Sequence, residues 1–181
     1  MRDDTKKAIE DFEVSTFGVK KRIEKAESVL MNDEQVLFAS ATNVDFSAIN
    51  TRKSECLPVV VFLTNKRLIF CYIVLSSFST EVIPLNEIRS INSYGNGLSG
   101  AHVEIHSITK TYNILVKYKK QIVQKIQATF ENAVNNFVNA IQGNSQPDML
   151  GQIEKLASLR EKGILTEEEF QIKKAELLAK L

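Results

Sequence analysis

The chain is short of the features that announce a function. Two histidines and two cysteines are all that 181 residues offer as soft metal ligands or ready nucleophiles. No C-x-x-C, no Ser-His-Asp order and no paired-carboxylate pattern stands out, so nothing asks for catalysis. Charge of one sign is missing too. With 23 basic and 22 acidic residues the net charge is +1, which leaves no global field to gather nucleic acid. No run approaches the roughly 20 apolar residues that span a bilayer; the longest, Leu68 to Leu75, has the length of a buried strand. The opening MRDDTKKAIEDFE lacks an apolar h-region and does not read as a secretory signal. The expected location is cytoplasmic. Internal repeats and low-complexity tracts are absent.

What is present is a patterned chain with 44% apolar residues, enough for a core. Cys56 and Cys71 both lie in apolar, β-branched surroundings and are expected to be free thiols acting as small core hydrophobes. If the turn between their strands centres on Asn65-Lys66, Thr64 faces Arg67.

Residues 1–31 carry helical signals. Thr5 can cap a stretch carrying Ile9 and Phe12, and Ile23, Ala26 and Leu30 recur at helical spacing, as in a surface helix or helix pair laid on something larger. From Gln35 the pattern becomes short, β-branched and aromatic: QVLFASA, PVVVFLT, RLIFCYIV, FSTEVIP, EIRSINSY, AHVEIHS and KTYNILV. Seven strands with short connections predict an antiparallel sheet curled into a barrel or sandwich. One wide polar gap, Asp45 to Glu55, reads as a long loop containing Arg52 and Lys53. Ile122, Ile126, Phe130, Val134, Phe137, Val138 and Ile141 then predict one long amphipathic helix against the open end of the barrel. GNSQPD reads as a linker, and two short helices follow.

The stretch GNGLSG, Gly95 to Gly100, matches G-x-G-x-x-G. A dinucleotide site needs a helix directly after the glycines. Here AHVEIHS follows, a half-exposed strand, and no kinase lysine, H-R-D or D-F-G accompanies it. The loop therefore reads as a strand connection. His102, Glu104 and His106 share one strand face, but same-face neighbours sit about 7 Å apart, too far for one ion to take all three without bending. No metal and no cofactor is expected.

Basic residues form three groups: Arg52 and Lys53 in the early loop, Lys66 and Arg67 at a hairpin turn, and Lys117, Lys119, Lys120 and Lys125 around the start of the long helix. The last group opposes the helix dipole and is not placed for helix stability.

The sharpest local signal is LASLREKGILTEEEF. Gly163 suits the left-handed position after a helix, and Ile164 falls where a Schellman motif places an apolar contact to Leu159. Thr166 follows as N-cap with Glu169 three residues on, and Leu165 and Phe170 make a hydrophobic staple. Glu169 also has Lys173 at i+4. Such a pair is too small to be stable alone. Ile153, Leu156, Leu159, Ile164, Phe170, Leu177 and Leu178 need cover, and identical stripes are self-complementary. A homo-oligomer through this helix pair is expected.

The segment I-E-K-L-x-x-L-x-x-x-G-I-L-T-E-E-E-F-x-x-K-K-A-x-L-L, Ile153 to Leu178, resembles the short C-terminal domain called SHOCT, and the resemblance implies an oligomerisation or protein-contact appendage. VVFLTNKRLIF, EVIPLNEIRSINSYGNGLSG and the upstream NDEQVLFAS resemble bacterial pleckstrin-homology-like domains, the YokE-like, GRAM-related group. That resemblance implies an α+β fold: a seven-stranded bent antiparallel PH-like barrel capped by a C-terminal helix. The expected organisation is an N-terminal helical segment (1–31), a PH-like domain (32–142), a linker (143–147) and a SHOCT-like hairpin (148–181). The expected function is a non-enzymatic binding and assembly protein with a protein or membrane-surface partner and no nucleic acid. The alternative is a peripheral anionic-lipid or phosphate-binding module using Arg52, Lys53, Lys66 and Arg67, with weak membrane contact.

Overall fold

A computed structural model describes residues 1–49, 51, 53–74, 77–96, 98, 100–145, 156–160 and 165–178. Two helices, α1 (Asp3–Asp11) and α2 (Lys20–Ala26), precede seven strands: β1 (Val36–Ala48), β2 (Ser54–Thr64), β3 (Arg67–Val74), β4 (Ser77–Pro84), β5 (Ile88–Asn96), β6 (Gly100–Ser107) and β7 (Lys110–Val116). Helix α3 (Lys120–Ser145) and helix α4 (Glu167–Leu178) complete the order, with residues 156–160 also helical. The chain divides into two compact units, Met1–Val138 and Asn139–Leu181. Because α3 continues through Ser145, residues 143–145 are helical rather than linker. A single Gly weakens a helix by about 1 kcal/mol without ending it, and the first proline in the sequence past that point is Pro147.

The strands form one antiparallel sheet in the order β4-β3-β2-β1-β7-β6-β5. β1 joins its two halves. It pairs with β2 along its whole length, from Val36↔Thr64 to Ser47↔Ser54, but with β7 only from Val44↔Ile114 to Ala48↔Lys110. Over its first half, β1 therefore parts from β7, and the sheet bends there into an open barrel. The polar gap from Asp45 to Glu55 is mostly ladder, since only residues 49–53 connect β1 to β2. Val44 and Phe46 alternate inward there. The Phe46 ring lies 5.5 Å from Phe70 and 5.6 Å from Tyr112, so this end of β1 is anchored despite its polar alternate residues.

The long apolar runs of β2 and β3 are buried on both faces, which is why they do not alternate. Val59, Val61, Leu63, Leu68 and Phe70 point into the barrel. Val60, Phe62, Ile69 and Cys71 point outward into a second core with Ala8, Ile9, Ile23 and Ala26 of α1 and α2. The N-terminal helices thus pack on the outer face of β1–β3; Thr5 does not cap the first of them, because α1 already begins at Asp3 and Thr5 is buried in its first turn. Each fully buried Phe or Ile contributes about 1.5–3 kcal/mol. β6 instead alternates, with Ala101, Val103 and Ile105 in and His102, Glu104 and His106 half-exposed. Inside the barrel end, α3 places Val123, Ile126, Phe130 and Ala133, and Phe130 meets Phe38 edge-on at 5.5 Å.

Both cysteines are free. Cys71 is the small core hydrophobe expected, and burial pushes its thiol up to about 12. Cys56 is exposed. It pairs with Asp45 near the far end of β2, beyond the stretch that the helices cover.

One buried ion pair fixes the corner where the chain enters the barrel. Leu63↔Leu68 sets the expected β2–β3 register, which brings Thr64 beside Arg67. Arg67 grips Glu34 with two hydrogen bonds, Nε to Oε1 at 2.7 Å and Nη2 to Oε2 at 3.0 Å. The Glu34 side chain is 0% exposed and that of Arg67 20%. Glu34 also accepts from the Met31 N–H at 2.8 Å and the Thr64 hydroxyl at 3.2 Å. Arg67 reaches the Val29 carbonyl at 3.1 Å, and Asn65 exchanges hydrogen bonds with the Gln35 backbone. On the other side of the corner, the Val36 N–H donates to Asp4 of α1 at 2.9 Å. Burial alone would push the Glu34 carboxyl up. The Arg67 and Met31 hydrogen bonds more than offset it and hold the group below the usual carboxylate range.

Removing one partner leaves the other charge buried and unmatched, so Glu34→Gln should cost about 3–5 kcal/mol, read as a fall in chemical-denaturation stability. Because the folded carboxyl is depressed, its stabilisation is complete above about pH 4.3 and fades as pH falls through the folded value. Glu34→Gln should lack that acid limb. A loss under about 1 kcal/mol, as exposed pairs give, would contradict this reading.

Candidate interaction surfaces

The four cations expected to form one anion-contact patch are not brought together. Arg52 lies outside the described residues. Lys53 immediately precedes β2, whereas Lys66 and Arg67 follow it. The 11 residues of β2 hold those groups about 36 Å apart at roughly 3.3 Å per residue. Lys66 is paired with Asp33, and Arg67 is committed to Glu34. The T-N-K-R turn is therefore a structural clasp.

The barrel end near Lys53 holds an inward-facing carboxylate. Glu81 of β4 accepts from the Tyr112 hydroxyl at 2.8 Å, the Tyr72 hydroxyl at 2.9 Å and Lys110 Nζ at 2.7 Å. Burial would raise its pKa, but these donors outweigh burial and lower it. Burial first, and then the Glu81 carboxylate, raises both tyrosines. The Tyr112 ring stacks on Phe70 at 4.7 Å. Lys110 is thus already matched by Glu81.

The outer face of β5–β7 carries the two histidines. Both ring nitrogens of His106 are engaged, Nε2 with Glu104 and Nδ1 with Thr111, each at 3.0 Å. His102 stacks on Tyr94 at 5.3 Å. Among the described residues no group of three His, Cys, Asp or Glu side chains is placed to hold a metal. The glycine loop joins β5 to β6, with Gly95 opposite Ala101 and Asn96 opposite Gly100. A Cβ at Gly95 would stand 2.4 Å from the Ala101 Cα, so the glycine is there for close strand approach at φ +149°.

Two of the four lysines around the start of α3, Lys119 and Lys125, are engaged by the N-terminal segment. Lys119 pairs with Glu13. Lys125 reaches the Asp11 carboxylate at 3.6 Å and its carbonyl at 3.0 Å, with its ammonium 5.0 Å from the centre of the Phe12 ring. α1 ends there in a Schellman turn: the Val14 N–H reaches the Ile9 carbonyl at 2.9 Å and the Glu13 N–H that of Glu10 at 3.1 Å, with Glu13 left-handed at φ 52°.

In the C-terminal unit the capping box is formed. The Thr166 N–H donates to Glu169 at 3.0 Å and the Glu169 N–H to the Thr166 hydroxyl at 3.3 Å. Glu169 is used in the cap, and Lys173 pairs instead with Glu176 at 3.1 Å. The Leu165 N–H bonds the Leu159 carbonyl across the turn at 3.3 Å. Phe170 is buried, with the Arg160 guanidinium 4.7 Å and the Lys174 ammonium 5.8 Å from its ring centre. Leu156 and Leu159 are half-buried, and Ile172 is 59% exposed. Ile153, Gly163 and Ile164 lie outside the described residues, as do the side chains of Leu177 and Leu178.

Two family models match the chain in this order: the bacterial PH domain over residues 30–142 and the short C-terminal domain, SHOCT, over residues 152–178. No curated protein matches. Among solved structures, the Vps36 N-terminal PH domain is similar at 15% identity and a TM-score of 0.42, over 61% of this chain and 86% of that one. A DUF1696 family protein with a pleckstrin-homology domain from Shewanella loihica is similar at 17% identity and a TM-score of 0.42, over 65% and 93%. The human ARAP2 N-terminal PH domain gives 16% identity and a TM-score of 0.39, over 53% and 78%.

The cap sets the start of α4. Thr166→Val should cost about 1 kcal/mol there, speeding amide exchange at residues 167–170 about fivefold while β2 and β3 amides stay unchanged. Unaltered exchange in that turn would show that the hydroxyl does not hold it.

Proposed function

The chain belongs to the bacterial PH domain family and carries a SHOCT domain behind it, and from this we propose a non-enzymatic binding and assembly protein. Its PH-like domain contacts a protein or membrane-surface partner, and its C-terminal helix pair joins copies of the chain. The observation that carries this reading is the pairing of those two domains. The tail's construction supports it. α4 has 12 residues, a length at which an isolated helix is marginal in water. Its start is nonetheless specified by a full capping box, and Ile172 stands in solvent on its surface. An element this small and this well defined is suited to completing its cover with another copy. Linking barrels in this way multiplies weak contacts through effective concentration.

The lipid or phosphate alternative has less support. Lys66 and Arg67 have carboxylate partners, and Lys53 stands a strand's length away from them. Among the described residues no helix is long and apolar enough to cross a membrane. The cytoplasm remains our reading of location.

Light scattering tests assembly. The full chain should exceed the monomer mass. A chain ending at Ser145, and the full chain carrying Leu156→Asp with Leu159→Asp, should both fall to monomer with the β-sheet circular dichroism retained. A monomeric full chain, or variants that stay oligomeric, would sink the self-assembly reading.

A further inference from the structure

Where β1 parts from β7, a cavity of about 220 Å³ opens between them, beside the α1 Schellman turn and the start of α3. Its walls include Phe12, Phe38, Val116, Ile122 and Ile126. On its β1 side stand Ser40 and Thr42. The Thr42 hydroxyl donates to the Leu115 carbonyl at 2.7 Å, replacing the first missing rung of the ladder. Ser40 is 7% exposed and lines the cavity, where its hydroxyl can donate to or accept from a ligand.

The rim is formed by the exposed residues Glu13, Ser15 and Lys117. Glu13 is ion-paired with Lys119, and Asp11 is matched by Lys125. The second lysine, Lys117, gives the rim one positive charge beyond its carboxylates. Size narrows the ligand further. Cavities of about 150 Å³ hold benzene, and drug-sized pockets begin near 300 Å³. This one takes a single short chain.

We propose that this cavity binds a short- to medium-chain fatty carboxylate, its tail against Phe12, Phe38, Ile122 and Ile126 and its head between the Ser40 hydroxyl and Lys117. The site uses no residue of the C-terminal unit, so it stands or falls separately from self-assembly.

The probe is octanoate, with octanol as the uncharged control, titrated into the full-length protein and followed by amide chemical shifts. A ligand of this size reaches millimolar affinity. Saturable shifts should centre on residues 40–42 and 115–117. Lys117→Gln, a surface change, should weaken octanoate about three- to fivefold and leave octanol unchanged. Ser40→Leu fills the cavity and should abolish binding of both, with folding checked by its thermal transition. If that variant does not fold, Lys117→Gln still decides. Absence of saturable shifts at millimolar octanoate, or a folded Ser40→Leu that binds like the parent, overturns the site. Octanol binding as tightly as octanoate overturns the carboxylate.

Discussion

The Glu34–Arg67 pair is the constraint on which the barrel's entry corner depends. Bidentate and buried, it ties the residues just before β1 to the β2–β3 turn, and the hydroxyl of Thr64 and the amide of Asn65 close the same corner. A buried ion pair is a weak source of net stability, because desolvation offsets most of its attraction. Its effect here is positional. With Glu34 held, Val36 starts β1 in one register, and a one-residue slip would exchange the two faces of that strand. Both faces of the first half of β1 are buried against different partners, so register carries unusual weight here.

The two-sided burial of β1–β3 follows from that register. Phe38 must enter the barrel with Phe12 and Phe130, while Val36 and Ala39 must meet the helices outside. α1 and α2 therefore belong to the same cooperative body as the barrel, although they lie outside the span of the matching domain family. They cover the outer face of one half-sheet. On the other half, β5–β7, the outer face is half-exposed, with Tyr94, His102 and Glu104 upon it.

All seven strands were legible in the sequence, because β-branched runs broken by turn residues leave few alternatives. The glycine loop could be read from the strand that follows it. The extent of β1 was not legible. Asp45 and Ser47 look like loop chemistry unless Val44 and Phe46 are seen to alternate with them. Arg67 looked like a surface cation because its partner is 33 residues away in sequence. The hint was that the D-E of NDEQVL and the R of TNKRL both sit in the motifs that carry the family resemblance. Glu81 shares parity with the buried Ile83, a pattern that could have marked it as inward-facing. The cavity had no sequence signal, since its walls come from four separate segments.

The central claim is that the N-terminal helices and the barrel fold as one unit around the clasped corner. Native-state hydrogen exchange across a denaturant series measures this directly. Amides of α1 near Ala8 and Ile9 and of α2 near Ile23 should merge with those of β2 and β3 into a single opening of the same free energy. Exchange from the helices at markedly lower free energy, with β2 and β3 still closed, would contradict the account and make the helices a detachable cover.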